Sequence, residues 1–238
     1  MKFISKILIG LSLLTVFTLS TVHAETESVN ESTAADHLPA HLIYESSDLD
    51  AFTEIKLELV SSYVEIQAGD AFQINVFASQ EDTTFDDLFN LSTKSQKLVL
   101  NEKDWKNNLK SFITTLTSRV VITVPETEKV SVKIDLVNGE VNVKGSLAKF
   151  EFDGPNGDLF LSGKETYPMA IDIVNGDIEL VFETFDANLD FEFVNGSFDL
   201  MGDTMSAMFS DFKRTYGNGR DNIQIDAING KVFLIEAE

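Results

Sequence analysis

The sequence predicts an all-β protein built as a β-solenoid, a right-handed β-helix-like stack of roughly 19-residue two-strand coils with short insertions. Three observations point there. Apolar and polar residues alternate with the period of two that strands require. Asn-Gly pairs recur in one frame, at Asn138-Gly139, Asn156-Gly157, Asn175-Gly176, Asn195-Gly196 and Asn229-Gly230. The intervals between those pairs are 18, 19, 20 and 34 residues. Asn and Gly enter positive φ most cheaply, so each pair between alternating apolar runs marks a tight turn. An antiparallel β-meander or sandwich carries the same pattern, with each pair closing a hairpin that sets Ile173 opposite Ile178 and Ile171 opposite Leu180. The near-constant period favours stacked coils, because a stack loses register wherever one coil gains residues that are not looped out. The Asn residues would then lie above one another at a corner, about 4.8 Å apart.

Residues 1–24 read as a secretory signal peptide: Lys2 and Lys6 make a basic start, Ile7 to Leu19 is a short apolar run, and Val22-His23-Ala24 ends on a small residue. That run is too short to span a bilayer, so no integral membrane span is expected after cleavage. Residues 25–50 are polar and acidic and read as a flexible lead-in. Residues 51–238 form a single β-repeat domain. Within it, alternation begins at Ile55, breaks at Ser61-Ser62, where Ser-Ser takes the place of the Asn-Gly turn, and resumes at Val64. Phe72 to Val76 is a further strand, and a polar excursion from Ser79 to Gln96 holds a helical turn near Phe85. Leu98 to Leu100 returns to strand. The stretch Asp104 to Leu116 reads as a loop or short helix over one end, and Val120 to Pro125 as a strand closed by proline. From Val130 the repeats follow one another, interrupted by an excursion between Met201 and Asp221 that accounts for the long last interval.

The chain holds 18 basic and 39 acidic residues, a formal charge of −21. Without the signal peptide the charge is −23, because Lys2 and Lys6 leave with it. Such a surface repels polyanions, which excludes nucleic acid and favours divalent cations, cationic peptides or proteins, or a cell-envelope component as partners. The chain has no cysteine, so neither a disulfide framework nor a lipid-modified N-terminal Cys is available.

Chemistry-bearing patterns are few. Beyond the signal peptide the histidines are His37 and His41, four apart but with Pro39 between them, which argues against a helical metal pair. Acids, in contrast, recur. Three residues before each repeat Asn stands Asp135, Asp153, Asp172, Glu192 or Asp226, and Glu140, Asp158 and Asp177 follow three of the five glycines. Stacked coils would align the first set into an acidic ridge, to which calcium or another divalent cation could bind. Neighbours at that spacing repel by about 0.9 kcal/mol in water, which a core can absorb. No other cofactor is expected.

The run Val120-Val-Ile-Thr-Val-Pro125, the phrase Val-Asn-Gly-Asp-Ile-x-Leu and the closing stretch from Gly217 to Gly230 resemble the bacterial DUF4097 "putative adhesin" repeat family over roughly Asp50 to Glu238. Ser61-Ser62 and Gly154-Pro155 depart from that family's turn pattern. The resemblance implies β-strand stacks of solenoid type, exported and cell-surface or envelope-associated, linked to envelope stress, with no catalytic residues to carry over. The expected function is therefore a non-catalytic binding or scaffold protein at the cell envelope. The alternative is a carbohydrate-active enzyme, a glycosidase or lyase, working through surface carboxylates on a β-helix.

Overall fold

The computed structural model of the protein describes residues 38–47, 49–103 and 116–237. Residues 1–24, read above as a signal peptide, His37 and most of the Asp104 to Leu116 stretch lie outside them. The described chain is almost all strand: β1 (His41–Ser46), β2 (Glu54–Gly69), β3 (Gln73–Ala78), one short helix α1 (Phe85–Leu88), β4 (Phe89–Lys94), β5 (Lys97–Glu102), β6 (Ser118–Pro125), β7 (Ser131–Lys144), β8 (Lys149–Glu165), β9 (Met169–Asn175), β10 (Ile178–Thr184), β11 (Ala187–Leu200), β12 (Asp203–Thr215) and β13 (Asp221–Glu236). No helix among the described residues is long and apolar enough to cross a membrane.

All thirteen strands belong to one mixed sheet. Its middle is parallel and in register: β2 pairs β7, β7 pairs β8, β8 pairs β9 and β10, both of these pair β13, and β13 pairs β11. Its ends are antiparallel, with β4 on β5, β1 on β3 and β3 on β6 at one end and β12 on β11 at the other. Hairpin closure by Asn-Gly is not what forms. Ile173 faces Gly154 and Ala227, and Ile178 faces Leu159 and Val232, so each strand pairs with the neighbouring repeat and not with itself.

Four of the five pairs do not end a strand, while Asn175-Gly176 stands at the junction of β9 and β10. β7, β8, β11 and β13 run through their Asn-Gly without a break. What changes there is phase: Leu136 is buried, the next four residues are partly or fully exposed, and burial resumes at Val141. An odd step between inward residues re-aims the strand, so every repeat has an upstream segment before the pair and a downstream segment after it. Inward residues of both segments, among them Ile134, Val143, Phe152, Leu161, Phe182 and Phe191, join one continuous apolar core. Each such side chain contributes about 1.5–3 kcal/mol on burial.

Two further expectations are corrected. Strand β1 lies inside the stretch read as a flexible lead-in, because the free edge of β3 supplies the backbone partners that its own weak alternation did not advertise. The 201–221 excursion is not looped out but forms β12 against β11. The last repeat, β13, returns between β9/β10 and β11, so the order of repeats in space differs from that in sequence.

Candidate functional site

The in-register middle turns each repeated residue into a column. The five asparagines pair in the order Asn138, Asn156, Asn175, Asn229, Asn195. Asn175 Nδ2 donates to Asn156 Oδ1 at 2.9 Å, Asn229 Nδ2 to Asn175 Oδ1 at 2.9 Å, and Asn195 Nδ2 to Asn229 Oδ1 at 3.3 Å. This is an amide ladder of the kind that stabilises stacked strands. The glycines Gly139, Gly157, Gly176, Gly230 and Gly196 form the adjacent column. At Gly176 a Cβ would lie 1.9 Å from the carbonyl oxygen of Gly157, and the φ of +153° is one that side chains rarely adopt. Glycine is thus required by the approach of the next strand as much as by its own backbone. At β2, where Ser61-Ser62 stands in this column, both serines are fully buried and Ser62 Oγ lies 2.7 Å from Ser118 Oγ.

Upstream of that corner, the acids Asp135, Asp153, Asp172, Asp226 and Glu192 also line up, in that spatial order. Glu58 extends the row beyond Asp135 and Asp211 extends it beyond Glu192. Glu58 was legible, since it stands three residues before Ser61 as the others do before Asn. Asp211 was not, because it arrives on the antiparallel β12. The row is less solvated than its outward aim suggests: Asp226 is 6% exposed. Lys133 and Lys56 sit 3.7 and 4.0 Å from the Asp135 carboxylate. Beside Asp172 the same flanking position is Ala170, and beside Asp226 it is Gln224, whose Nε2 donates to Oδ2 at 3.3 Å. Burial pushes the Asp172 carboxyl up to about 6, and the charges of Asp226 and Asp153 and a hydrogen bond with Asp226 push the same way. Burial also raises Asp153 and Asp135, the former aided by Asp135 and the latter opposed by Lys133 and Lys56. Among the described residues no three acidic or histidine side chains converge as metal ligands would. His41 lies on β1, at the antiparallel end of the sheet.

Downstream of the corner the outward face is different. A groove of about 270 Å³ crosses β2, β7, β8, β10 and β13, with Tyr63, Phe160 and Phe233 as its rings and Glu140, Asp158, Asp177 and Glu179 as its acids. The core residues Val141 and Leu159 also line it. Asp177 N donates to Asp158 Oδ1 at 2.8 Å, and Lys231 N donates to Asp177 Oδ1 at 2.9 Å, so two of these acids stitch successive repeats together. Burial raises the Glu140 carboxyl, with Asp158 adding to it. The rings escaped the sequence reading although they break its pattern: Phe160 and Phe233 occupy the outward phase, between Leu159 and Leu161 and between Val232 and Leu234.

This is an all-β protein whose parallel middle displays lines of repeated side chains. Its fold is similar to that of a "putative cell adhesion protein" from Clostridium sporogenes, 16% identical, with 80% of this chain and 98% of that chain covered at a TM-score of 0.57. At that identity the likeness is one of fold. A "putative adhesin" from Bacteroides fragilis is 13% identical over 83% of this chain and 99% of that chain, with a TM-score of 0.34, too low to bear on the architecture. No protein-family model and no curated protein sequence matches the chain.

Proposed function

We propose that the protein is an exported, non-catalytic binding or scaffold module of adhesin type, associated with the cell envelope, with a solenoid stack of the DUF4097 kind as its framework. The observation that carries this reading is the parallel, in-register middle: it spreads identical side chains in lines over a broad face, an arrangement suited to holding an extended partner. The fold likeness to the clostridial cell adhesion protein supports it. The leader at residues 1–24 supports export, with the mature chain beginning at Glu25.

The enzymatic alternative draws on Glu140 and Asp158, neighbours in register whose groove raises the proton affinity of Glu140. These acids stand on the outward face of adjacent strands of one sheet, where a glycosidase needs a cleft that surrounds the scissile bond. The test is retention of the purified mature protein on intact cell envelopes, together with fractionation of the producing cells. Envelope retention and an N-terminus at Glu25 are expected. Protein confined to the cytoplasm with Met1 intact would contradict the reading, as would glycan hydrolysis abolished by Glu140→Gln.

A further inference from the structure

The downstream groove holds side chains that the stack does not need. Its rings stand on β2, β8 and β13, every second strand of the ladder β2, β7, β8, β10, β13. In register Phe160, Glu179 and Phe233 share one row, so those two rings stand two strands, about 9.6 Å, apart, whereas Tyr63 lies in the neighbouring row, opposite Glu140 and two residues away along the strand. Phe233 is 36% exposed and Ile235, beside it on the same strand face, is 42% exposed. Glu179 lies between the Phe160 and Phe233 rings, and Glu140, Asp158 and Asp177 line the row that Tyr63 begins. Asp158 and Asp177 each use one oxygen on a backbone N–H, and the other forms no hydrogen bond or ion pair among the described residues. Glu140 and Glu179 form no hydrogen bond or ion pair among the described residues. Asn142 Oδ1, in the same groove, is buried with no partner, while its Nδ2 donates to the Tyr63 hydroxyl at 3.5 Å. No basic side chain lines the groove. It therefore offers acceptors and aromatic faces, which is what a positively charged donor needs and what a sugar, both donor and acceptor, uses only in part.

The chain itself already holds one cation in this way. The Arg119 guanidinium, next to the groove on β6, sits 5.9 Å from the centre of the Tyr63 ring and 5.4 Å from that of Phe77, with NH2 2.9 Å from Glu65 Oε2. We infer that the groove binds a cationic segment of a partner protein, its Arg or Lys heads at the carboxylates and their stems on Phe160 and Phe233. The inference rests on the binding role proposed above and names its partner class. An extended polyproline-type segment advances about 3.1 Å per residue, so a basic residue at every third position recurs at about 9.3 Å, close to the ring repeat. The chain's charge of −21 steers such a segment toward it.

The test is fluorescence anisotropy with a labelled peptide of repeated Arg-Pro-Pro units, titrated with the full-length chain. Two variants are compared with the wild type: Phe160→Ser/Phe233→Ser, which removes rings and no charge, and Asp153→Asn/Glu192→Gln, which removes two charges from the upstream face. Thermal unfolding of each variant confirms that it is folded. The expected result is at least a tenfold weaker association for the ring variant, about 1.4 kcal/mol, and less than threefold for the upstream variant. If Phe160→Ser/Phe233→Ser fails to fold, Glu179→Gln on the same groove takes its place, with a loss exceeding that of the upstream variant expected. Equal losses in the two faces would reduce the interaction to general charge attraction and overturn the inference. So would peptide binding that no groove variant changes, or a groove that takes neutral glycans and not the peptide. Envelope retention that survives in groove variants would sink this inference alone. A wild-type chain that binds the peptide but not the envelope would sink the proposed function alone.

Discussion

The outward faces on either side of the Asn-Gly corner share one register but treat charge in opposite ways. On the upstream face the acid row is compensated from within: Lys56 and Lys133 attend Asp135, Gln224 attends Asp226, and burial together with the charges of Asp226 and Asp153 raises the proton affinity of Asp172. On the downstream face Glu140 and Glu179 are left without such partners among the described residues, and rings stand beside them in place of lysines. Stacking alone makes columns, and it does so without regard to use. What separates a structural column from a binding face is whether the column's own neighbours satisfy it, and the proposed partner site lies downstream for that reason.

The largest expected effect falls on the corner that both faces share. Gly176→Val drives a branched side chain into the Gly157 carbonyl at a φ of +153°, and should destabilise by on the order of 3–5 kcal/mol in denaturant titration. A midpoint equal to that of Glu179→Gln would refute the close approach. Next comes Asn175→Ala, which removes both the bond given to Asn156 and the bond accepted from Asn229. About 1–2 kcal/mol should be lost, and Asn175→Asp, which keeps the shape but cannot donate, should fare no better.

The upstream face gives a pH signature. Because Asp172 holds its proton up to about 6 when folded, against an ordinary 3.8, the native state binds more protons than the unfolded chain between those values. Stability from this group is therefore present in full below about pH 4 and lost as pH rises through about 6. Asp172→Asn should unfold at a higher temperature than the wild type at pH 7, with the gain vanishing near pH 4. With solvent screening of this half-buried group allowed for, the gain should be on the order of 1 kcal/mol. A gain independent of pH would show that Asp172 is not raised in the folded chain. Calcium sharpens the same contrast: if the row binds cations, calcium should raise the wild-type midpoint more than sodium at matched ionic strength, and Asp153→Asn/Asp172→Asn/Glu192→Gln should remove the difference. The smallest effect belongs to Glu179→Gln, within about 0.5 kcal/mol of wild type in stability, while peptide association falls.

Local pattern revealed much of this and non-local pairing concealed the rest. Alternation and the Asn-Gly period exposed the strands, the shared register and the alignment of Asp135 through Asp226, because each depends on residues close in sequence. The same glycines misled on local geometry, since Gly176 is demanded by a carbonyl one repeat away and no single repeat shows that neighbour. Strand β1 was hidden because its order comes from β3, and Phe160 and Phe233 because two-periodic reading attends to the inward phase. The place of β13 was hidden most completely, since nothing in its own residues says that β12 and β11 lie on its far side.

That placement can be measured directly, because the chain has no cysteine of its own to interfere. In-register neighbours lie within the Cα range that a disulfide bridges, whereas residues two strands apart, at about 9.6 Å, do not. Asp172→Cys/Asp226→Cys should therefore cross-link under mild oxidation, and Asp172→Cys/Glu192→Cys should remain reduced. The opposite outcome, cross-linking of 172 to 192 and not to 226, would mean that the repeats stack in sequence order and would contradict the fold described above.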